Sequence, residues 1–271
     1  MKRHVVILFI LIFCGSIAVA EHDKWQTGTR SAGMGDASLF NNDVWAGFNN
    51  AGALTGVDRM GLGLAWENRF LVNELSQLSM AFVMPGEGNA VALSVNHFGY
   101  SLYSENRVGV AYAMQLFDWL SMGIQLNYLN TIQPETYGNA HILSFDVGLL
   151  ATPADNFMFG VQVHNPANIG FNGERNKELP VAMRVGVGYW FTDDLLASVE
   201  AETEMANHTM FKAGLEYHLM ENFYLRTGVN AKPVKISFGA GWKWKDFNLD
   251  LAYSYDNILG NSPHVGVSYA F

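Results

Sequence analysis

The chain has 271 residues, with 16 Lys and Arg against 25 Asp and Glu and a net charge of −9. That acidic balance excludes nucleic-acid binding, which needs a basic footprint. Charged residues are only 15% of the chain, against ~25% in typical soluble domains.

Residues 1–20 read as a secretory signal peptide. Lys2, Arg3 and His4 give a basic start, Val5 to Phe13 a short apolar core, and Ala18-Val19-Ala20 a small-residue cleavage site. The apolar core falls short of the ~20 residues that span a membrane as a helix. Cys14 is the only cysteine and follows the large Phe13, where a lipidation site wants a small residue. Cleavage is therefore expected to leave no disulfide, thiolate metal site or cysteine nucleophile. It also removes Lys2 and Arg3, leaving 14 basic against 25 acidic residues and a net charge of −11. No later apolar run approaches membrane-helix length. A membrane protein without spanning helices must be a closed barrel, because only helices and closed sheets satisfy every backbone group in lipid.

Residues 21–57 form a second region, and 28–57 do not alternate. They are rich in Gly, Ala, Ser and Asn, with Trp45 and Phe48 as bulky anchors ahead of Asn49 and Asn50. The composition fits a compact, turn-rich plug.

Residues 58–271 read as an all-β transmembrane antiparallel barrel of about fourteen strands. Period-two segments fall near 59–67, 74–84, 89–98, 106–116, 119–130, 140–151, 156–164, 179–191, 194–204, 208–219, 222–230, 233–244, 246–256 and 263–271. Most approach the ~9–11 residues of a tilted membrane strand. Val234, Ile236, Phe238, Ala240, Trp242 and Trp244 share one face, opposite Lys235, Ser237, Gly239, Gly241 and Lys243. Glycines recur on the face away from the large apolar side chains, which permits another backbone to approach closely. A narrow lumen packed with a plug follows. Tight links join segments 4–5, 8–9, 10–11 and 12–13, while the longest are 131–139 and 165–178. An even strand count puts short turns and both termini on the periplasmic side and the longer loops outside.

The small-residue face also carries charge: Arg184, Glu200, Glu202, Glu204, Lys212, Glu216, His218, Arg226, Lys235, Lys243 and Asp250. The expected role is an ion network that fills the barrel and anchors the plug. A conducting path or ligand site is the alternative. No metal ligation is expected, because no His-rich spacing accompanies the acids. His141 lies near Ser144 and His264 near Ser262, but neither pair has a third group in register, as nucleophilic catalysis requires. No catalytic residue and no cofactor are expected. The Gly-x-Gly runs at 61–63, 186–188 and 239–241 lie inside strands and are not nucleotide loops.

The chain ends Val265-Gly266-Val267-Ser268-Tyr269-Ala270-Phe271. Such a closing strand, with Tyr269 and the terminal Phe271 on its apolar face, resembles the insertion signal of bacterial outer-membrane barrels. It implies outer-membrane lipid as surroundings and the barrel assembly machinery as a partner.

The stretch Ser31-Ala32-Gly33-Met34-Gly35-Asp36-Ala37-Ser38, continued by Asn41-Asn42-Asp43-Val44-Trp45 and Asn49-Asn50-Ala51-Gly52-Ala53-Leu54, resembles the plug of FadL-like barrels, particularly the PorV/PorQ-type proteins of type IX secretion. Those carry an Asn-Pro-Ala-Gly-Leu motif, where this chain has Asn50 for the proline and an extra alanine. The resemblance implies a fourteen-stranded barrel and one of two roles: hydrophobic-solute uptake, or binding and handing on of secreted proteins without chemistry. Uptake needs an apolar capture site. Loop 165–178 is mostly polar, with Ile169 and Phe171 as its apolar contacts. The favoured expectation is a non-enzymatic accessory or protein-binding barrel of an envelope assembly, with Phe171 as the anchor for a secretion-system or surface protein.

Overall fold

The structure, a computed structural model, describes residues 27–134, 139–170, 179–205, 209–231 and 234–271. The leader 1–20 and Phe171 lie outside the described residues.

Alternation of large and small side chains builds fourteen strands among the described residues. They are β1 (Gly61–Asn68), β2 (Ser76–Gly86), β3 (Asn89–Tyr100), β4 (Tyr103–Phe117), β5 (Leu120–Ile132), β6 (Ala140–Ala154), β7 (Phe157–His164), β8 (Ala182–Thr192), β9 (Leu195–Glu204), β10 (Met210–Met220), β11 (Phe223–Ala231), β12 (Lys235–Trp244), β13 (Phe247–Asp256) and β14 (Gly260–Ala270). Each is antiparallel to the next. β1 also pairs with β14, from Gly61↔Ala270 to Glu67↔His264, and closes the barrel. Closure removes the sheet edges that lipid would not tolerate. No described helix is long and apolar enough to cross a membrane.

The strands lie close to the expected segments and differ at some ends. β8 starts at Ala182 instead of residue 179, because Pro180 has no N–H to give the ladder. β14 starts at Gly260, whose φ of +101° turns the chain into the strand three residues before the expected start.

Six links at one end are two residues long, for example 118–119 and 193–194, while the other end carries the longer link 165–181. By the usual asymmetry of outer-membrane barrels the short turns are periplasmic and the long loops external. The outer wall is apolar, with Leu64, Phe211, Phe238, Trp242 and Val267 all exposed.

Residues 27–57 lie within the barrel. A short helix α1 (Thr29–Gly33), a second, α2 (Ala46–Asn49), and a 3-10 turn (Ala51–Gly56) carry most of this segment. Phe48, Ala51, Ala53 and Leu54 pack against Ala81, Ala92, Ala111 and Ala113 of β2–β4. Full burial of a side chain such as Phe48 or Leu54 contributes about 1.5–3 kcal/mol relative to exposure.

On most of the remaining strands the small residue is glycine, and two positions show why. A Cβ on Gly123 of β5 would stand 2.4 Å from the Ala51 carbonyl carbon. One on Gly228 of β11 would stand 2.1 Å from that of Met34. Only glycine lets the inner segment approach the wall this closely. Gly35, beside Gly228, has φ +67°, a conformation L side chains rarely adopt.

Candidate functional site in the barrel lumen

Two polar clusters line the lumen. The first spans β8 to β13 and contains Arg184, Glu200, Glu202, Lys212, Glu216, Arg226, Lys235 and Asp250, whereas Lys243, singled out with them from the sequence, is exposed near a short turn. Glu200, Glu202 and Glu204 share one face of β9 and would repel one another in isolation. The neighbouring strands resolve this for the first two. Arg184 on β8 holds Glu200 at 2.6 Å and lies 3.6 Å from Glu202, and Lys212 on β10 pairs with Glu202. In register Arg184 stands opposite Glu202 and Lys212 opposite Glu200, and each cation makes its short contact with the diagonal neighbour instead.

The same cluster grips the inner segment. The second oxygen of Glu200 accepts the backbone N–H groups of Ser38 and Leu39 at 2.6 and 2.7 Å. Arg184 donates to the Ser38 hydroxyl at 2.8 Å and to the Asn49 carbonyl at 2.9 Å. Arg30 forms a two-pronged pair with Glu216, both bonds 2.8 Å, and Arg226 donates to Glu216 at 2.6 Å. Lys235 donates to Asp36 at 2.5 Å. Enclosure opposes the Arg30 charge, but Glu216 and Asp43 outweigh it and raise its pKa above the ordinary value. Enclosure raises the Asp43 carboxyl as well, against the pull of Arg30. Charge-assisted, bidentate bonds of this kind are the strongest a protein makes.

The four residues expected to anchor the inner segment are all buried. Asn49 exchanges two hydrogen bonds with the Thr27 backbone, at 3.0 and 2.9 Å. Asn50 takes the place of the motif proline. Its amide donates to the Leu39 and Leu149 carbonyls, both at 3.0 Å, and its oxygen accepts from Gly52 N–H. A proline could form none of these bonds. Trp45 and Phe48 pack together with ring centroids 6.2 Å apart.

The second cluster was missed from sequence. Arg107 on β4 donates to Asp146 on β6 at 3.0 Å and to Asn127 on β5 at 3.0 Å, and Asn127 donates to Asp146 at 2.8 Å. His164 on β7 lies 3.2 Å from Asp146. The signal was present, because Arg107 and Asp146 share the small-residue face that revealed Arg184. They lie in earlier strands with fewer charges, and were not singled out.

His264 has neighbours that its sequence position concealed. Its Nε2 lies 3.2 Å from the Ser254 hydroxyl and its Nδ1 3.8 Å from Glu67, too far for a hydrogen bond. Ser254 and His264 are buried, and the adjoining cavity, bounded by Thr29, Gln77, Ser79 and His264, measures about 10 Å³. That is room for one water. His141 instead faces outward, hydrogen-bonded to Tyr128 at 2.7 Å. No cluster of potential metal ligands occurs among the described residues.

At the carboxy terminus Tyr269 packs between Phe247 and Phe271, with centroids 4.6 and 4.9 Å away. The Phe271 N–H donates to the Met60 carbonyl at 2.8 Å, and Arg59 donates to the Phe271 backbone oxygen at 3.1 Å.

A closed, fourteen-stranded antiparallel barrel with an apolar outer wall is an outer-membrane β-barrel, here with its own amino-terminal segment inside. Residues 86–264, well over half of the chain, match the family of type IX secretion system membrane proteins PorP/SprF, and the chain belongs to that family. The match begins after the stretch 31–54 that resembles PorV/PorQ-type plugs. No curated protein matches the chain.

Among solved structures, it is similar to the CymD monoaromatic hydrocarbon channel at 15% identity and a TM-score of 0.71, covering 93% of this chain and 99% of that one. The Ralstonia pickettii toluene transporter TbuX gives 13% identity and 0.70, covering 92% and 99%. A Pseudomonas aeruginosa FadL homologue gives 13% and 0.68, covering 90% and 98%. At these identities the likeness is one of fold.

Proposed function

We propose that this protein is a non-enzymatic accessory subunit of a type IX secretion assembly, working by binding a protein partner from the outer membrane. The observation that carries the reading is the grip of Arg184, Glu200 and Glu216 on Ser38, Leu39 and Arg30, which occupies the lumen with the chain's own segment. Membership in the PorP/SprF family supports a type IX secretion assembly as its setting. A barrel plugged in this way offers its loops, instead of a pore, as its working surface. The external loop 165–178, with Phe171 as apolar anchor, is the proposed contact. Exported chains of this kind need the barrel assembly machinery and a cleaved leader, and both belong to this proposal.

Uptake of hydrophobic solutes is the second reading, supported by the shared fold with hydrocarbon channels. Against it, the register shifts between described strands, at Gln115/Phe117, Ala151/Ala154, Trp190/Thr192 and His218/Met220, all lie beside the short turns, and the ladders run unbroken through the rest of the wall. A solute leaving sideways into the membrane would need a break in the wall.

The deciding experiment removes the protein and follows both activities. Cells lacking it should lose a secreted or surface protein and take up toluene and fatty acids at the normal rate. Loss of uptake with intact secretion would overturn the proposal.

A further inference from the structure

The second lumenal cluster reaches beyond the lumen. Asp146 Oδ2 is taken by Arg107 and Asn127, whereas its Oδ1 accepts the backbone N–H of Asn165 at 3.3 Å. The same N–H also reaches the Phe145 carbonyl at 3.1 Å. Asn165 is the first residue after β7 and opens the external loop 165–178.

Asn165 is fully buried, and its φ of +48° is one that asparagine tolerates better than most residues. Both polar atoms of its side chain are engaged with the loop. Nδ2 donates to the Ile169 carbonyl at 3.1 Å and to the Leu179 carbonyl at 2.7 Å, and Oδ1 accepts the Ile169 N–H at 3.0 Å. One amide thus holds the outgoing leg of the loop at residue 169 and the returning leg at residue 179. Among the residues of similar size, Asp offers no donor for the two carbonyls.

The two legs end differently. Leu179 is buried with Ile142 and Ala182, and Leu129 and Ala140 pack against them. Ile169 is fixed through its backbone, and its side chain stays exposed. The wall itself has no need of the clamp, since β7 and β8 pair in full from Phe157↔Tyr189 to His164↔Ala182. All three side-chain bonds go to backbone atoms, so they set where the loop runs and not what it recognises.

We propose that Asn165 is the positioning residue of the partner-binding loop. Its amide presents Ile169 to the partner and fixes where the loop leaves the wall, with Asp146 as the footing of the clamp. This role rests on the loop being the contact surface, as proposed above. A loop already held in its bound shape gives up less freedom on association, so losing the clamp weakens binding without removing a contact.

The test compares Asn165→Gly with Phe171→Ala in the full-length barrel. Glycine at 165 keeps the positive φ at little steric cost and removes only the side-chain bonds. Lys245, in a short turn on the opposite side of the membrane, has φ +55°, so Lys245→Gly controls for a glycine in such a turn. Hydrogen exchange of the Ile169 amide in the purified barrel reads the clamp without any partner. Release of the secreted proteins that cells lacking the barrel fail to release, at equal barrel level, reads binding. Asn165→Gly should speed Ile169 exchange and cut release, each by about ten-fold, the scale of losing one or two hydrogen bonds. The thermal midpoint of heat-modifiable migration should stay unchanged. Phe171→Ala should cut release and leave Ile169 exchange unchanged, and Lys245→Gly should match the wild type in both. Should Asn165→Gly not assemble, Asn165→Asp takes its place with the same expected loss of release, because it keeps the acceptor for Ile169 and loses both donors. Unchanged exchange in Asn165→Gly, faster exchange with normal release, or a midpoint that falls along with release would each overturn the positioning role while leaving the loop as the contact. Normal release in both Asn165→Gly and Phe171→Ala would overturn the loop as contact, and the positioning role with it.

Discussion

Arg30 and Glu216, 186 residues apart in the chain, meet as a two-pronged ion pair inside the barrel, with Nε–Oε2 and Nη2–Oε1 both at 2.8 Å. Glu216 is almost fully buried and also accepts from Arg226 at 2.6 Å. One carboxylate thus joins the inner segment to the wall between two guanidinium groups, with Asp43 beside Arg30 and Asp250 beside Arg226 supplying the remaining negative charge. Removing one partner of a buried pair leaves charge uncompensated, at a cost of about 3–5 kcal/mol. Glu216→Gln should lower the thermal midpoint of heat-modifiable migration and expose residues 27–57 to added protease, with the barrel still assembled. An unchanged midpoint and full protection would show that the pair contributes nothing.

Arg184 is the corresponding tie on β8. Arg184→Met keeps much of the side-chain volume but abandons Glu200, Ser38 and the Asn49 carbonyl. Arg184→Met/Glu200→Gln should recover part of the lost stability, because the buried carboxylate that the single change strands is gone. The thermal midpoints of the single and double variants measure the coupling directly.

Seating of the inner segment depends on the wall glycines. Gly228→Val would place its side chain on the Met34 carbonyl carbon, 2.1 Å from the added Cβ. A cysteine at Ser38, buried in the native barrel, should resist a membrane-impermeant thiol reagent in intact cells. The same cysteine should label readily in the Gly228→Val background. Ready labelling of Ser38→Cys alone would sink the picture of an occupied lumen.

Phe271 closes the aromatic stack of Tyr269 and Phe247, and its N–H ties β14 to Met60. Its deletion should lower the amount of barrel in the outer membrane and raise periplasmic degradation, as read by immunoblots of separated fractions. Undiminished heat-modifiable barrel would exclude a role for the terminal residue in assembly.

Phe171 is the proposed apolar anchor for a protein partner. Hot-spot truncations cost ~2 kcal/mol or more, so Phe171→Ala should sharply reduce recovery of the co-purifying secretion component at unchanged barrel level. Equal recovery would remove this loop from the interface.

The alternation of Val265, Val267 and Tyr269 with His264, Gly266 and Ser268 is a property of neighbouring residues, and it by itself determined which side chains face lipid and which face the lumen. Repeated fourteen times between turns, it also determined an even, closed sheet, since an open one has no place in lipid. Pairing across hairpins extended this far enough to set Arg184 near Glu202, because the tight turn 193–194 fixes the register of β8 and β9. What only the tertiary structure decided lies across the lumen. Arg30 meets Glu216, Asp36 meets Lys235, and Asn50 donates to Leu149, and no local pattern connects the members of these pairs. Which inward residue faces the segment at a given height depends on the strand stagger accumulated around the closed barrel, and a turn of one residue more or less would shift every partner downstream.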